Sequence, residues 1–464
     1  MEFLGDQGRD VTIIRDLFLH KNLFFIGPQT SIGNMYLGPW FYYLIAPSLL
    51  LANFNPIGPA IFIALVNIAT IYLIYFVGQK WFSKPIGLTA AFLFAISPVV
   101  IKYSNFIWNP NVMPFFALLF VYFFFEGIFK KNYRYFIYAS LSFVMVLNSH
   151  YLGLALLPLP LLYWLINLIK FIKTKSKQLR PFLYNTFLAF MVFIASLIPQ
   201  ILFDIKHSGQ NIKALLNFFI YRENTVNLKA YKAIPQLPSI FNQTTADLFT
   251  GRDLSIAWLI SIVFALLIVF YLLSLFKNKK DNRYFWVIVG WYFLGLIVLA
   301  LYKQHIYAHY FAFLFPAAFI LLSLLINRFK LIGVPLLIFV IYFSLNNNPF
   351  NFPANHQMAT VQKITSSIIE KSNNQNYNFA LLAKQNYEPP YTYFLTQKDE
   401  TKLVSLHQEI TDQLFVVCEP FQIDCNPINN PEWAIAAFGW AKIDSEWEID
   451  GIKIFKLVKN PQGQ

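Results

Sequence analysis

Near the start of the chain, Gly5-Asp6-Gln7-Gly8-Arg9-Asp10-Val11-Thr12-Ile13-Ile14-Arg15-Asp16-Leu17 sets two carboxylates and a guanidinium within five residues. A carboxylate at a water boundary can take the proton of a reacting hydroxyl. A neighbouring arginine can steady a developing anion. Asp is also a good helix cap, so Asp6 and Asp10 serve equally well to start a helix. Ile13, Ile14, Leu17 and Phe18 follow at helical spacing and predict an amphipathic helix.

Other candidates are scattered. Trp108-Asn109-Pro110-Asn111 offers a ring and two amides to a sugar, or forms a turn and cap. His150-Tyr151 and His309-Tyr310 each pair an imidazole with a phenol at the end of an apolar run, either for chemistry or for structure. Lys303 and His305 give His309 a cationic neighbourhood. Asp204-Ile205-Lys206-His207 leaves an apolar run directly, as a phosphate clamp or a polar helix exit. The His and Cys spacings make no metal site. There is no phosphate-binding glycine loop, dinucleotide fingerprint or nucleophile elbow.

The elements that must position these residues are membrane-spanning. Of the 464 residues, 57% are hydrophobic, 19% aromatic and only 13% charged, against roughly 25% charged in soluble domains. Mean hydropathy is +0.50. Measured against the roughly 20 residues a span needs, candidates are 57–78, 86–103, 112–129, 134–148, 150–170, 183–203, 255–276, 284–302, 309–327 and 331–346. Residues 37–54 are apolar but broken by Pro39 and Pro47, which predicts an interfacial, re-entrant or kinked segment. No signal peptide is expected from the polar opening residues.

The net charge of +13 does not point to nucleic acid, because the cations sit in short loops between apolar runs. Lys80 and Lys84; Lys130, Lys131 and Arg134; Lys170, Lys173, Lys175, Lys177 and Arg180; Lys277, Lys279, Lys280 and Arg283; Arg328 and Lys330 mark one set of loops as cytoplasmic. The alternate loops at 105–111, 148–150, 204–254 and 303–308 then face outward. With every span counted, so do residues 1–36 and the tail from 347. Chemistry on that face excludes nucleotide-fed reactions.

The tail predicts a small α/β domain. It has a helix at 357–371, strands at 378–383 and 413–417, and a hairpin across Asp450-Gly451. Cys418 and Cys425 form a small disulfide loop if the tail is outside, or remain two buried thiols. The expected fold is an all-α polytopic membrane bundle over 1–346 with a small extracytoplasmic α/β domain over 347–464.

The stretch GDQGRDVTIIRDL resembles the first-loop motif of the GT-C class glycosyltransferases, in the branch with protein O-mannosyltransferases and lipid A aminoarabinose transferases. That motif is an Asp-Glu pair followed by an Ala-Arg-Glu-like helix. Asp6 stands at the catalytic Asp, Gln7 where Glu is usual, and Arg15-Asp16 at the Arg-Glu. Gly38-Pro39-Trp40-Phe41-Tyr42-Tyr43-Leu44 resembles the Pro-Pro-Leu-x-Tyr segment, and Ala95-Ile96-Ser97-Pro98 an early helix end. The likeness covers residues 4–130, and the later helices in general layout. Two departures stand out. Members carry a spanning helix before the motif, and some carry a Lys where Leu37 stands.

The resemblance implies inverting transfer of a sugar from a polyprenyl-phosphate donor to a lipid, glycan or protein acceptor, outside a bacterial plasma membrane. Asp6 would be the base. Arg9, Asp10, Arg15, Lys206, His207, Arg222, Lys303, His305, His309 and Tyr310 are candidates for the donor phosphate or substrate. Gln7, Trp108, Asn109, Asn111, His150 and Tyr151 are candidates for sugar or acceptor. The resemblance fixes no cofactor, and Asp6 and Asp10 could hold a divalent cation such as Mg or Mn with donor phosphate oxygens. The alternative, a transporter or lipid flippase, calls for internal repeats and charges within spans. The clearest spans carry almost none.

Overall fold

A computed structural model describes the chain except residues 32, 222–224, 228, 278–281, 385, 420–424 and 461–464. Lys279, Lys280 and Arg222 therefore lie outside the described residues. The chain divides into two compact units, Leu23–Phe352 and Met1–Asn22 with Pro353–Gln464. This differs from the expected division at 346/347. The first 22 residues, assigned by sequence to the membrane portion, pack with the tail.

Unit Leu23–Phe352 is helical because its apolar runs leave the backbone no partner but itself in a hydrocarbon medium. In chain order its helices are α2 Trp40–Leu51, α3 Ile57–Trp81, α4 Lys84–Ile96, α5 Pro98–Tyr103, α6 Met113–Lys130, α7 Tyr135–Ser149, α8 Pro158–Lys173, α9 Leu179–Lys206, α10 Gln210–Ile220, α11 Leu237–Phe249, α12 Leu254–Lys277, α13 Arg283–Leu301, α14 Phe315–Arg328 and α15 Lys330–Asn346; the label α1 is kept for Gly5–His20 of the other unit. Among the described residues, 7 helical stretches are long and apolar enough to cross a membrane, and α2, α4, α7 and α15 are shorter apolar helices.

The expected span 86–103 is broken. Ser97 is extended, and Pro98 opens α5, since a residue before proline is held out of the helical region. His150 is likewise extended between α7 and a 3-10 turn, Tyr151–Leu156. The segment α2 has 12 residues with Pro47 inside it, too few to cross.

Helix α14 is buried along nearly its whole length. Phe319 lies edge-on to Phe94 of α4 at 5.4 Å, and Ser323 Oγ donates to the Ile86 carbonyl at 2.7 Å. Where α3 meets α4, Gly78 faces Gly87 so closely that a side chain would strike the opposing backbone; small residues let helices approach this way. One span does carry a buried charge at the basic end. Glu126 of α6 pairs with Lys80 at 3.3 Å and Lys130 at 2.8 Å. It also accepts from Trp81 Nε1 at 2.9 Å and Tyr284 OH at 3.1 Å, which ties α3, α6 and α13 together.

The other unit holds α1 Gly5–His20, α16 Gln357–Lys371, β1 Asn378–Leu382, α17 Pro389–Lys398, β2 Gln413–Cys418, α18 Trp433–Phe438, β3 Ala441–Ile449 and β4 Ile452–Lys459. The sheet order is β1-β2-β4-β3, with β1 parallel to β2 across α17 and the rest antiparallel. Asp450 and Gly451 take φ 51° and 82°, the left-handed pair a tight hairpin needs. Ala434, Ile435 and Phe438 of α18 cover one face of the sheet. Tyr391 of α17 meets Phe379 on the other at 5.7 Å. Cys418 and Cys425 are joined in a disulfide, which decides between the two readings of that pair.

Candidate functional site

Helix α1 carries the acidic and basic cluster. Asp6 is half-exposed, and its Oδ1 accepts from Arg9 Nη1 at 2.9 Å. Arg9 also reaches Asp10 Oδ1 through Nε at 2.9 Å and Nη2 at 2.7 Å, and Asp10 is fully buried. One guanidinium thus bridges both carboxylates, supplying the positive charge a divalent cation would bring. A cation bound there would have to displace it.

Gln7 is buried, and its Oε1 accepts from Leu4 N–H at 2.9 Å, closing the helix start. Arg15 is buried too. It donates to the Tyr393 carbonyl at 3.1 Å and Thr396 Oγ1 at 2.9 Å, and approaches Glu400 at 3.5 Å. The sequence set it out for phosphate; here it holds α1 to α17. The buried face runs through Gln7, Gly8, Val11, Ile14 and Arg15, turned from the expected face of Ile13, Ile14, Leu17 and Phe18.

Among the described residues, one group could offer three ligands to a metal: Asp16, His20 and Glu400, within 4.8 Å of one another. Glu400 there already meets His20 at 3.2 Å and Arg15 at 3.5 Å. Burial raises the Asp16 pKa, against the pull of Arg15. The group reads as an ion-pair network.

In the helical unit, at the end away from the basic loops, three distant stretches converge. Trp108 meets His309 at 4.2 Å between ring centroids. His150 lies 4.6 Å from Tyr310 and 6.2 Å from His309. Tyr307 stacks on His309 at 5.6 Å, and His305 lies 4.4 Å from Tyr307. Tyr310 is buried, and Ser31 Oγ is 3.5 Å from its hydroxyl. Tyr302 packs beside Tyr310 at 6.2 Å. Burial raises the Tyr302 pKa to about 12, so its hydroxyl stays protonated. These rings and imidazoles offer stacking faces and hydrogen-bond donors.

Several candidates prove to be buttresses. Asn109 Nδ2 donates to the Ser149 carbonyl at 2.6 Å, and Asn111 Nδ2 to the Phe106 carbonyl at 2.8 Å. Tyr151 OH donates to the Tyr36 carbonyl at 2.7 Å and accepts from Gln200 Nε2 at 3.1 Å. Asp204 accepts from the Asn211 and Ile212 N–H groups at 2.7 and 3.1 Å. It fixes the start of α10 and is not free to clamp a phosphate. Lys206, His207, Lys303 and His305 are exposed.

Beside the cluster lies a pocket of about 590 Å³, bordered by Asn34, His207, Gln210, Lys213, Asn217 and Thr225 together with Phe218 and Tyr221. Thr225 links the two, because its carbonyl accepts from Lys303 N–H at 3.0 Å next to Tyr302. The sequence reading missed Gln210, Lys213 and Asn217. Their spacing on an amphipathic stretch inside a long loop was the available signal. Toward the basic end, an apolar groove of about 990 Å³ opens between α6, α8, α12 and α13, lined by residues such as Leu159, Ile166, Ile268 and Phe293, with Arg283 at its rim.

Residues 37–198 match the family model described as dolichyl-phosphate-mannose-protein mannosyltransferase. The match begins after the Asp6 motif. Searched against curated proteins, the sequence finds no significant match. Among solved structures, ArnT from Cupriavidus metallidurans bound to undecaprenyl phosphate has a TM-score of 0.59 at 11% identity, covering 98% of this chain and 94% of that one. The apo state of the same protein gives the same figures. The archaeal oligosaccharyltransferase AglB from Archaeoglobus fulgidus reaches a TM-score of 0.48 at 11% identity, over 89% of this chain and 65% of that one. The likeness to GT-C glycosyltransferases of the mannosyltransferase and ArnT type thus stands on two findings: a sequence match over 37–198, and an ArnT-like fold over nearly the whole chain.

Proposed function

We propose that this protein transfers a sugar from a polyprenyl-phosphate carrier to an acceptor hydroxyl on the extracytoplasmic face of a bacterial plasma membrane. The observation that carries the reading is the convergence of Trp108, His150, His309 and Tyr310 at the end opposite the basic loops, in a chain with the fold of ArnT. The solved ArnT is bound to undecaprenyl phosphate, and a lipid phosphate is the donor class proposed here.

The acceptor oxygen attacks the anomeric carbon as the bond from that carbon to the phosphate oxygen breaks. The electron pair leaves with polyprenyl phosphate, and the configuration inverts. Asp6 takes the hydroxyl proton, its carboxylate oriented by Arg9. Donors from His305, His309 and Tyr310, with the charge of Lys303, meet the growing charge on the phosphate. Trp108 stacks on the sugar. The apolar groove suits the hydrocarbon tail, since its walls are mostly side chains of Leu, Ile, Val and Phe. The acceptor is a lipid, a glycan or a protein.

The test is release of polyprenyl phosphate from a panel of polyprenyl-phosphate sugars by membranes containing the wild type or Asp6→Asn. Removing a general base costs roughly 10²–10⁴-fold in rate. Release by the wild type with a loss of that size in the variant is expected. Equal release would remove Asp6 as the base, and no release from folded wild type across the panel would overturn the reading.

A further inference from the structure

Helix α10 follows directly on α9, which is 28 residues long and apolar enough to cross a bilayer. The chain turns between them through Ser208 and Gly209, both at positive φ of 55° and 73°. So α10 begins where a span leaves the bilayer. Its residues divide into two stripes. Ile212, Leu215, Leu216, Phe219 and Ile220 fall at helical spacing, and all are 45–66% exposed. Gln210, Lys213 and Asn217 form the opposite stripe and border the pocket of about 590 Å³.

A helix with an uncovered apolar stripe beside a membrane span lies in the bilayer interface, apolar side down. The pocket behind it then opens at headgroup depth. Its described borders hold Lys213 and His207 but no carboxylate. Asp204, the nearest described acid in sequence, is turned into the first N–H groups of α10. A pocket at that depth with a lysine, several amides and the apolar side chains of Ala214 and Phe218 suits the phosphate of a lipid.

We propose that α10 is embedded in the outer leaflet by this stripe and that Lys213, with Gln210 and Asn217, holds the phosphate of the polyprenyl carrier in the pocket behind it. This rests on the transfer reading for the identity of the lipid. It places the carrier's resting phosphate on a lysine that no resemblance named, while the donors of the 303–310 stretch, joined to the pocket through the hydrogen bond from Lys303 N–H to the Thr225 carbonyl, meet the charge that grows during transfer.

The full-length protein in nanodiscs of zwitterionic lipid would be titrated with a short-chain polyprenyl phosphate. Lys213 is exposed and forms no ion pair among the described residues, so Lys213→Gln leaves the fold intact. A charged hydrogen bond lost on binding corresponds to about 10–100-fold. We expect Lys213→Gln to weaken binding by at least about tenfold and Lys213→Arg to restore it. Unchanged binding in Lys213→Gln overturns the assignment. So does equal displacement by phosphatidylglycerol, which would make the pocket a general anionic-lipid site.

A second arm reads depth. Both native cysteines are in the disulfide, so single thiols at Leu216→Cys and Asn217→Cys can be spin-labelled. The Leu216 label should be shielded from a water-soluble relaxant and the Asn217 label accessible. Equal accessibility removes the embedded helix. If the wild type transfers no sugar but binds polyprenyl phosphate through Lys213, the transfer reading falls and the site stands. If transfer proceeds and binding ignores Lys213, the site falls alone.

Discussion

Asp247 shows how a single side chain can set a pH response. It lies on α11, buried, with Arg252 Nε at 3.3 Å. Burial raises its pKa from 3.8 to about 6, and Arg252 only partly offsets this. The folded state therefore binds more protons than the unfolded chain between those values. The contribution to stability is full below pH 3.8 and is lost as pH rises through about 6. At about 1.4 kcal/mol per pKa unit, the cost above pH 6 is up to about 3 kcal/mol. Asp247→Asn should raise the unfolding temperature relative to the wild type at pH 8 but not at pH 4. A variant that gains equally at both would show that the charge carries no cost. The same scale separates Lys213 from Arg15. Arg15, a candidate from the sequence, spends its donors on the Tyr393 carbonyl and Thr396, whereas Lys213, which the sequence reading missed, borders a pocket.

At the scale of elements, α1 explains its own glycines. At Gly8 a Cβ would run into the backbone of Pro389 and Pro390, and at Gly5 into the ring of Tyr387. The glycines around Asp6 thus serve close packing of α1 on α17, while the exposed edge of the helix presents Asp6 and Arg9. Backbone cannot yield as a flexible side chain can. Gly8→Ala should cost about 1–3 kcal/mol by overpacking, seen as a lower unfolding temperature and faster proteolysis of the tail unit. Unchanged stability would mean the approach of α1 and α17 is looser than the structure has it. The helix boundaries follow equally local causes. Proline ends the expected span 86–103 at Ser97, and the left-handed Gly209 lets α10 turn away from α9.

For the whole molecule, the disulfide offers a test of the side on which the tail is expected. Cys418 and Cys425 are seven residues apart, and so short a loop contributes about 2–3 kcal/mol in the chain-entropy account. Replacing both by Ser should lower the stability of the tail unit by about that amount. In intact cells, a membrane-impermeant maleimide should label the wild type only after reduction. Labelling without reduction would contradict the disulfide, and no labelling even after reduction would contradict an extracytoplasmic setting for the tail. The sequence alone determined the membrane class, the positions of most helices, the tail strands and hairpin, and the likeness to GT-C enzymes. These follow from apolar runs, turn residues and local spacing, which act over a few residues at a time. Tertiary structure decided the rest. It placed α1 with the tail unit, buried Gln7 and Arg15, and made Asn109, Asn111, Tyr151 and Asp204 into buttresses. It also gathered Trp108, His150 and His309 from three helix ends and set Lys213 on the rim of a pocket. Each of these outcomes depends on which partner a side chain meets across the fold, and periodicity carries no record of that partner.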